Sequence, residues 1–280
     1  MFLAMALVLI SALFFAVNKK IKIFSLGLGV LSLWVLIMTA ARLSFVAAVL
    51  GILTGLLLVK KYKFILLMTL FFTLVLIYPS QLRDRLISTV TVNLFGQGQR
   101  YEGQTEDQKL RSKLNIPTLA IKTSSQSAET STFATSSATA SDITPGEPTD
   151  TTQLGVYRSF AIRLNLEWPA AIRAFLKNPF LGTGYSSLGL ATDNDFLRSL
   201  GEVGILGSSA FILILIEATR RVFKNLQTND KFIKYFSAGS LALIMAFVVN
   251  ALFIDVFEAS KVASIFWMLL GANLATRNFK

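Results

Sequence analysis

The chain has 280 residues, 53% hydrophobic and only 15% charged, with a mean hydropathy of +0.59. It has no cysteine and no histidine, which excludes a disulfide framework, a thiolate or imidazole metal site, a cysteine nucleophile and a histidine base. The formal charge of +11 sits mainly in clusters at the ends of apolar runs. That is a membrane-topology signal, and no basic-aromatic platform accompanies it, so no nucleic-acid partner is expected.

In chain order the apolar segments are Phe2–Val17, Ile21–Ala40, Leu43–Val59, Phe64–Tyr78, Val203–Ile216, Tyr235–Ile254 and Val262–Leu274. Repeated runs near the ~20 residues that cross a bilayer predict an all-α integral membrane protein, here with about seven transmembrane helices. Residues 1–79 hold the first four and residues 203–280 the last three. Between them, residues 80–202 form a large extracytoplasmic loop with amphipathic helices.

Orientation follows from the linkers. The basic clusters are Lys19, Lys20 and Lys22; Lys60, Lys61 and Lys63; Arg220, Arg221, Lys224, Lys231 and Lys234; and Arg277 with Lys280. Placing all of them in the cytoplasm puts the N-terminus outside and the C-terminus inside. The turns near Arg42 and Asp255–Glu258, and the long loop, then face outward across a cytoplasmic (inner) membrane. Phe2–Val17 lacks the basic n-region and small-residue cleavage site of a signal peptide. An odd helix count with an outside N-terminus therefore suggests that Met1 begins partway through a larger bundle.

Within the loop, residues 118–153 are rich in Ser, Thr and Ala, with Pro145, Gly146 and Pro148. They hold too little apolar surface to offset the entropy of ordering, so a disordered tether or insertion is expected. Residues 156–202 read as ordered. Tyr157, Phe160, Leu164, Trp168, Ile172 and Phe175 recur at helical spacing, with a break or kink near Pro169. Such a helix would lie on the outer membrane face or cap the bundle. Asn178-Pro179 ends it, Gly182 and Gly184 permit a tight turn, and Thr192 with Asp193 read as the cap of a short helix leading into the fifth span.

Chemistry must come from carboxylates, Tyr, Lys or the substrate. Arg42 is either a helix-end arginine snorkelling to the interface or an outward cation that calls for an anionic partner. Arg158 and Arg163 are suited to phosphate recognition by their guanidinium forks; the plainer reading pairs Arg163 with Glu167, four residues on. Asp193, Asn194 and Asp195 include a capping box with Thr192, yet also place a carboxylate where it could take the proton of a sugar hydroxyl. Asp193, Asp195 and Glu202 have no metal-specific spacing, so no metal or cofactor is expected. Asp255, Glu258 and Lys261 read as satisfying one another at a helix end.

These residues also form a pattern. Arg163-x4-Trp168, LKNPFLGTGYSS from Leu176, and TDNDFLRSLGEVGILG from Thr192 resemble the core of the O-antigen ligase and O-antigen polymerase family of bacterial membrane proteins. Ala41-Arg42-Leu43-Ser44 is similar to that family's Ser-Arg-Gly-type helix start, and EASKVASIFWMLLG from Glu258 to its last span. The ligases place a histidine before the Asn where this chain has Asp193, so the polymerase form is favoured.

The resemblance implies a metal-independent, inverting membrane glycosyltransferase acting on polyprenyl-diphosphate-linked oligosaccharide in cell-surface polysaccharide synthesis. Arg42 and Arg163, supported by Arg158, would neutralise the diphosphate. Asp193 would act on the acceptor hydroxyl with Asn194 orienting, and Gly182, Gly184 and Tyr185 would contact the sugar. Membrane lipids, other polysaccharide-assembly proteins and a separate N-terminal half are the implied partners. Two readings compete with it: a transporter or flippase of an anionic lipid, which would favour intramembrane charge and inverted repeats, and a scaffold subunit.

Overall fold

The computed structural model describes residues 1–39, 41–91, 160, 162–189 and 191–276. Contacts divide the chain into two units, Met1–Leu94 with Thr152–Lys280, and Phe95–Thr151, and every described residue belongs to the first. The expected disordered insertion, Tyr157 and Arg158 lie outside the described residues.

Among the described residues the fold is all-helical, 78% helix with no strands. The helices are α1 (Phe2–Leu13), α2 (Lys19–Met38), α3 (Arg42–Leu58), α4 (Tyr62–Ile77) and α5 (Gln81–Thr91), then a π-helical turn (Arg163–Glu167). They continue as α6 (Trp168–Lys177), α7 (Asp195–Asn225), α8 (Lys231–Ala251) and α9 (Ser260–Ala275).

Helices run through all seven apolar segments, but the expectation of seven spans is reduced to a coarser result. Among the described residues only α2, α7 and α8 are long and apolar enough to cross a membrane, or four spans if the bent pair α4–α5 counts as one. The reason is length. α1 has 12 residues, α9 has 16 and α3 has 17, and at about 1.5 Å per residue none reaches the ~30 Å of a hydrocarbon core. The α4–α5 pair bends by 91° where Pro79, lacking an N–H, cannot continue the ladder. α2 and α4 leave Phe24, Val30, Trp34, Leu66, Leu70 and Ile77 exposed. Apolar surface on this scale needs a hydrocarbon neighbour, and a membrane supplies one.

Small residues set the packing at the centre. A Cβ on Gly51 would sit 2.7 Å from Val8 Cγ2 and 3.2 Å from the Ala242 carbonyl, so this glycine lets α1, α3 and α8 meet at close range. Ala47, Ala48, Ala242 and Ala246 continue that seam, all buried. Phe247 stacks on Phe266 at 4.1 Å and joins α8 to α9, with Phe257 of the connecting turn edge-on to Phe266. α3 stops at a Schellman closure, in which Lys60 takes a left-handed conformation (φ 59°) and Lys61 N–H donates to the Leu56 carbonyl at 3.0 Å.

Candidate functional site

One end of the bundle gathers the polar residues of the 160–202 segment, and its geometry begins with a broken helix. Gly204 interrupts α7 with φ 65° and ψ −170°, a region open essentially to glycine alone. A break of this kind leaves main-chain groups on both sides without helical partners. The turn Asn178–Gly184 supplies them. Thr183 N–H donates to the Gly201 carbonyl (3.0 Å) and Gly184 N–H to that of Glu202 (2.9 Å). In the other direction Ile205 N–H donates to the Pro179 carbonyl (2.9 Å) and Leu206 N–H to that of Phe180 (3.2 Å). The turn is spliced into the helix by four main-chain bonds.

The splice explains two glycines in steric terms. A Cβ on Gly182 would lie 2.3 Å from the Glu202 carbonyl oxygen, and one on Gly204 2.4 Å from that of Phe180. Gly182 is buried, and the close approach it permits is to the main chain of α7. Gly184 (φ 107°) faces open space and Tyr185 is 79% exposed, so both are accessible on the surface of this turn.

The cap of α7 also differs from expectation. Asn194, not Thr192 or Asp193, caps the helix, its Oδ1 accepting from Phe196 N–H (3.1 Å) and Leu197 N–H (3.0 Å). Its Nδ2 donates to the Leu252 carbonyl at 3.0 Å, and the residue is buried. Asn194 is thus held as the cap of α7. The short helix it begins is continuous with the long apolar helix across the Gly204 kink.

Asp193 stands in a left-handed conformation (φ 49°) and pairs with Arg163, Nη2 to Oδ2 at 2.6 Å. The anticipated Arg163–Glu167 pair is replaced by this longer-range one. Arg163 opens the π-helical turn, in which Trp168 N–H reaches back to the Arg163 carbonyl. Pro169 follows directly, so the kink expected there takes the form of a π-turn. Glu167, on that turn, has its carboxyl pushed above the usual carboxylate range, first by burial and then by Asp193, with Arg163 opposing. Its Oε2 and the Trp168 Nε1 are buried with no hydrogen-bond partner among the described residues.

The structure brings Arg42 to the same end. Arg42 opens α3, outside its apolar run, and donates from Nη1 to Thr89 Oγ1 on α5. Thr89 in turn donates to the carbonyl of Arg85, one helical turn back. The Arg42 charge is disfavoured by burial and then by the like charges of Arg85 and Arg163, which places three arginines in one neighbourhood. Sequence reasoning missed Arg85; its signal was a basic residue on a short polar helix directly after a span.

Reasoning from sequence also missed Arg198, the hub of the second cluster. Its Nη1 donates to Asp255 Oδ2 at 3.1 Å, and its Nε lies 2.7 Å from Glu258 Oε1 and 3.3 Å from Glu202 Oε1. Asp255 and Glu258 therefore face Arg198, a correction to their anticipated local pairing with Lys261. The Arg198–Glu202 spacing of four was the readable signal. Asp193, Asp195 and Glu202 diverge: Asp193 goes to Arg163, Asp195 accepts from the N–H groups of Val256 (2.8 Å) and Phe257 (3.1 Å), and Glu202 faces Arg198. Among the described residues no acidic group has the arrangement of a metal site.

Comparison with known proteins adds no assignment: no family model, curated protein or solved structure matches the chain.

Proposed function

We propose that the chain is a membrane glycosyltransferase of the O-antigen polymerase and ligase kind, acting on polyprenyl-diphosphate-linked oligosaccharide, with polymerisation favoured over ligation to another acceptor. The observation that carries this reading is the convergence of Arg42, Arg85 and Arg163, from three separate elements, beside the Arg163–Asp193 pair. Guanidinium forks suit a diphosphate, and Arg42 and Arg163 stand near one another at this end of the bundle. Glu167 Oε2 and Trp168 Nε1, buried without a hydrogen-bond partner among the described residues, support a polar ligand in the same place.

In this reading the acceptor hydroxyl oxygen attacks the anomeric carbon with inversion. The bond from that carbon to the diphosphate oxygen breaks, and the diphosphate leaves with the electron pair. Fixed guanidinium charge stabilises the leaving group and supplies most of the acceleration. The hydroxyl proton passes to a carboxylate. Asp193, beside Arg163, is the carboxylate assigned to the hydroxyl and its proton. The positive-inside arrangement puts this end on the outer face of the cytoplasmic membrane, with the N-terminus outside and the C-terminus in the cytoplasm.

Incubating the purified chain in nanodiscs with lipid-linked oligosaccharide, and resolving products by size beside Arg163→Ala, tests the proposal. A product ladder that disappears in the variant supports a polymerase, and a single addition to a different acceptor supports a ligase. No product from a folded chain that still binds the lipid overturns the enzyme reading in favour of a transporter or scaffold.

A further inference from the structure

The left-handed turn at Asp193 does not hold itself. The N–H groups of both neighbouring residues are gripped by one side chain: Thr192 N–H donates to Asp255 Oδ2 and Asn194 N–H to Asp255 Oδ1, each at 2.9 Å. The Asp255 carboxylate is in turn fixed by Arg198 Nη1 at 3.1 Å, and Arg198 is braced by Glu202 and Glu258. The side chains of Asp255 and Arg198 are only 11% and 13% exposed, so the arrangement has little freedom to slip. We propose that Asp255, oriented by Arg198, is the positioning residue that sets the Asp193 carboxylate against Arg163.

A carboxylate that accepts from the residues on either side of Asp193 favours a bent backbone there, because in an extended chain those two N–H groups, though parallel, lie about 6.5–7 Å apart, too far for one carboxylate to hold both well. Aspartate tolerates the left-handed region better than most side chains but does not prefer it, so an external clamp decides the outcome. Asn194 fixes the following helix and Asp255 fixes the turn before it. Together they leave Asp193 one direction, toward the π-helical turn that carries Arg163. The inference rests on the proposed transfer site for its catalytic meaning, though not for its test.

The chain has no cysteine, so Asp193→Cys creates a unique thiol. A thiol held beside the Arg163 guanidinium is expected to have its pKa lowered by about one to two pH units from ~8.5. The pH profile of its alkylation reads that shift directly. The expected result is a lowered profile in Asp193→Cys that returns to the ordinary thiol range on adding either Arg163→Gln or Asp255→Asn. Asp255→Glu, which keeps the charge for Arg198 but displaces the carboxylate by one methylene, is expected to return it as well. Ser208→Cys, at a buried position, reports folding and is expected to stay protected in both Asp255 variants.

A lowered profile that survives Asp255→Asn and Asp255→Glu overturns the proposal, as does an ordinary profile in Asp193→Cys itself. Loss of Ser208→Cys protection in both Asp255 variants overturns it too, by making Asp255 a folding residue. In the transfer assay, Asp255→Asn is expected to lower kcat by tenfold or more and leave the KM for the lipid-linked donor within about twofold, because the arginines are untouched. Absence of transfer by the unmodified chain rejects the proposed function and leaves the thiol profiles to decide the role of Asp255.

Discussion

Gly204→Ala is the sharpest test of how the site is built. The substitution meets two independent obstacles. The backbone at φ 65° and ψ −170° is strained for any side chain, at a cost of about 1–3 kcal/mol. The new methyl would also fall 2.4 Å from the Phe180 carbonyl oxygen and 2.6 Å from Gly182 N, both of them main-chain atoms with no flexible end to yield. The turn must then leave α7. The four splice bonds, at a net ~1 kcal/mol each, put that loss at roughly 4 kcal/mol. Gly204→Ala is therefore expected to destabilise by about 5–7 kcal/mol, in the exceptional range for a single methyl group. Thermal unfolding in detergent micelles, beside Gly271→Ala, measures it. Gly271 has open space around it and sits inside helix α9, so its alanine variant is expected to be neutral to mildly stabilising. Equal stability of the two variants would refute the splice.

Other consequences follow from the same geometry. Asn194→Ala is expected to cost about 0.5–2 kcal/mol through loss of the α7 cap, with Asn194→Asp recovering part of it; urea-dependent unfolding separates the two. Gly51→Val drives a branched side chain into Val8 and the Ala242 carbonyl and is expected to cost about 1–3 kcal/mol in the same assay. Arg198→Ala leaves Glu202, Asp255 and Glu258 without their common cation and is expected to cost about 3–5 kcal/mol, the range for breaking a buried pair. For Glu167 the sign follows from its raised folded pKa. The folded chain binds the proton more tightly than the unfolded one, so stability is lost as pH rises from 4.5 through the folded value, and Glu167→Gln is expected to flatten that part of the profile.

The apolar runs were legible because bilayer-length hydrophobicity is a one-dimensional property, and helices occupy every one of them. Their ends were less so. Phe2–Val17 forms a helix only to Leu13, and the single run from Val203 hides a 31-residue helix that begins at Asp195. The Asn178-Pro179 turn and the disturbance at Pro169 were readable, since both follow from the missing N–H and fixed φ of proline. The purpose of the paired glycines was not. Gly182 and Gly204 lie 22 positions apart, and only the fold shows that each exists to admit the main chain of the other. Arg198 escaped for a related reason: its i,i+4 partner Glu202 is local, but Asp255 and Glu258 reach it from a distant turn. Charge convergence of this kind is set by tertiary packing, which periodicity does not encode.

Binding of polyprenyl diphosphate without sugar to the chain in nanodiscs, compared with Arg42→Gln and Arg163→Gln, tests the arginine site most directly. Each substitution is expected to weaken binding by about tenfold or more, as for loss of a charge-assisted contact, and affinity is expected to fall as salt rises. Unchanged affinity in both variants, with the Ser208→Cys thiol still protected, would contradict it.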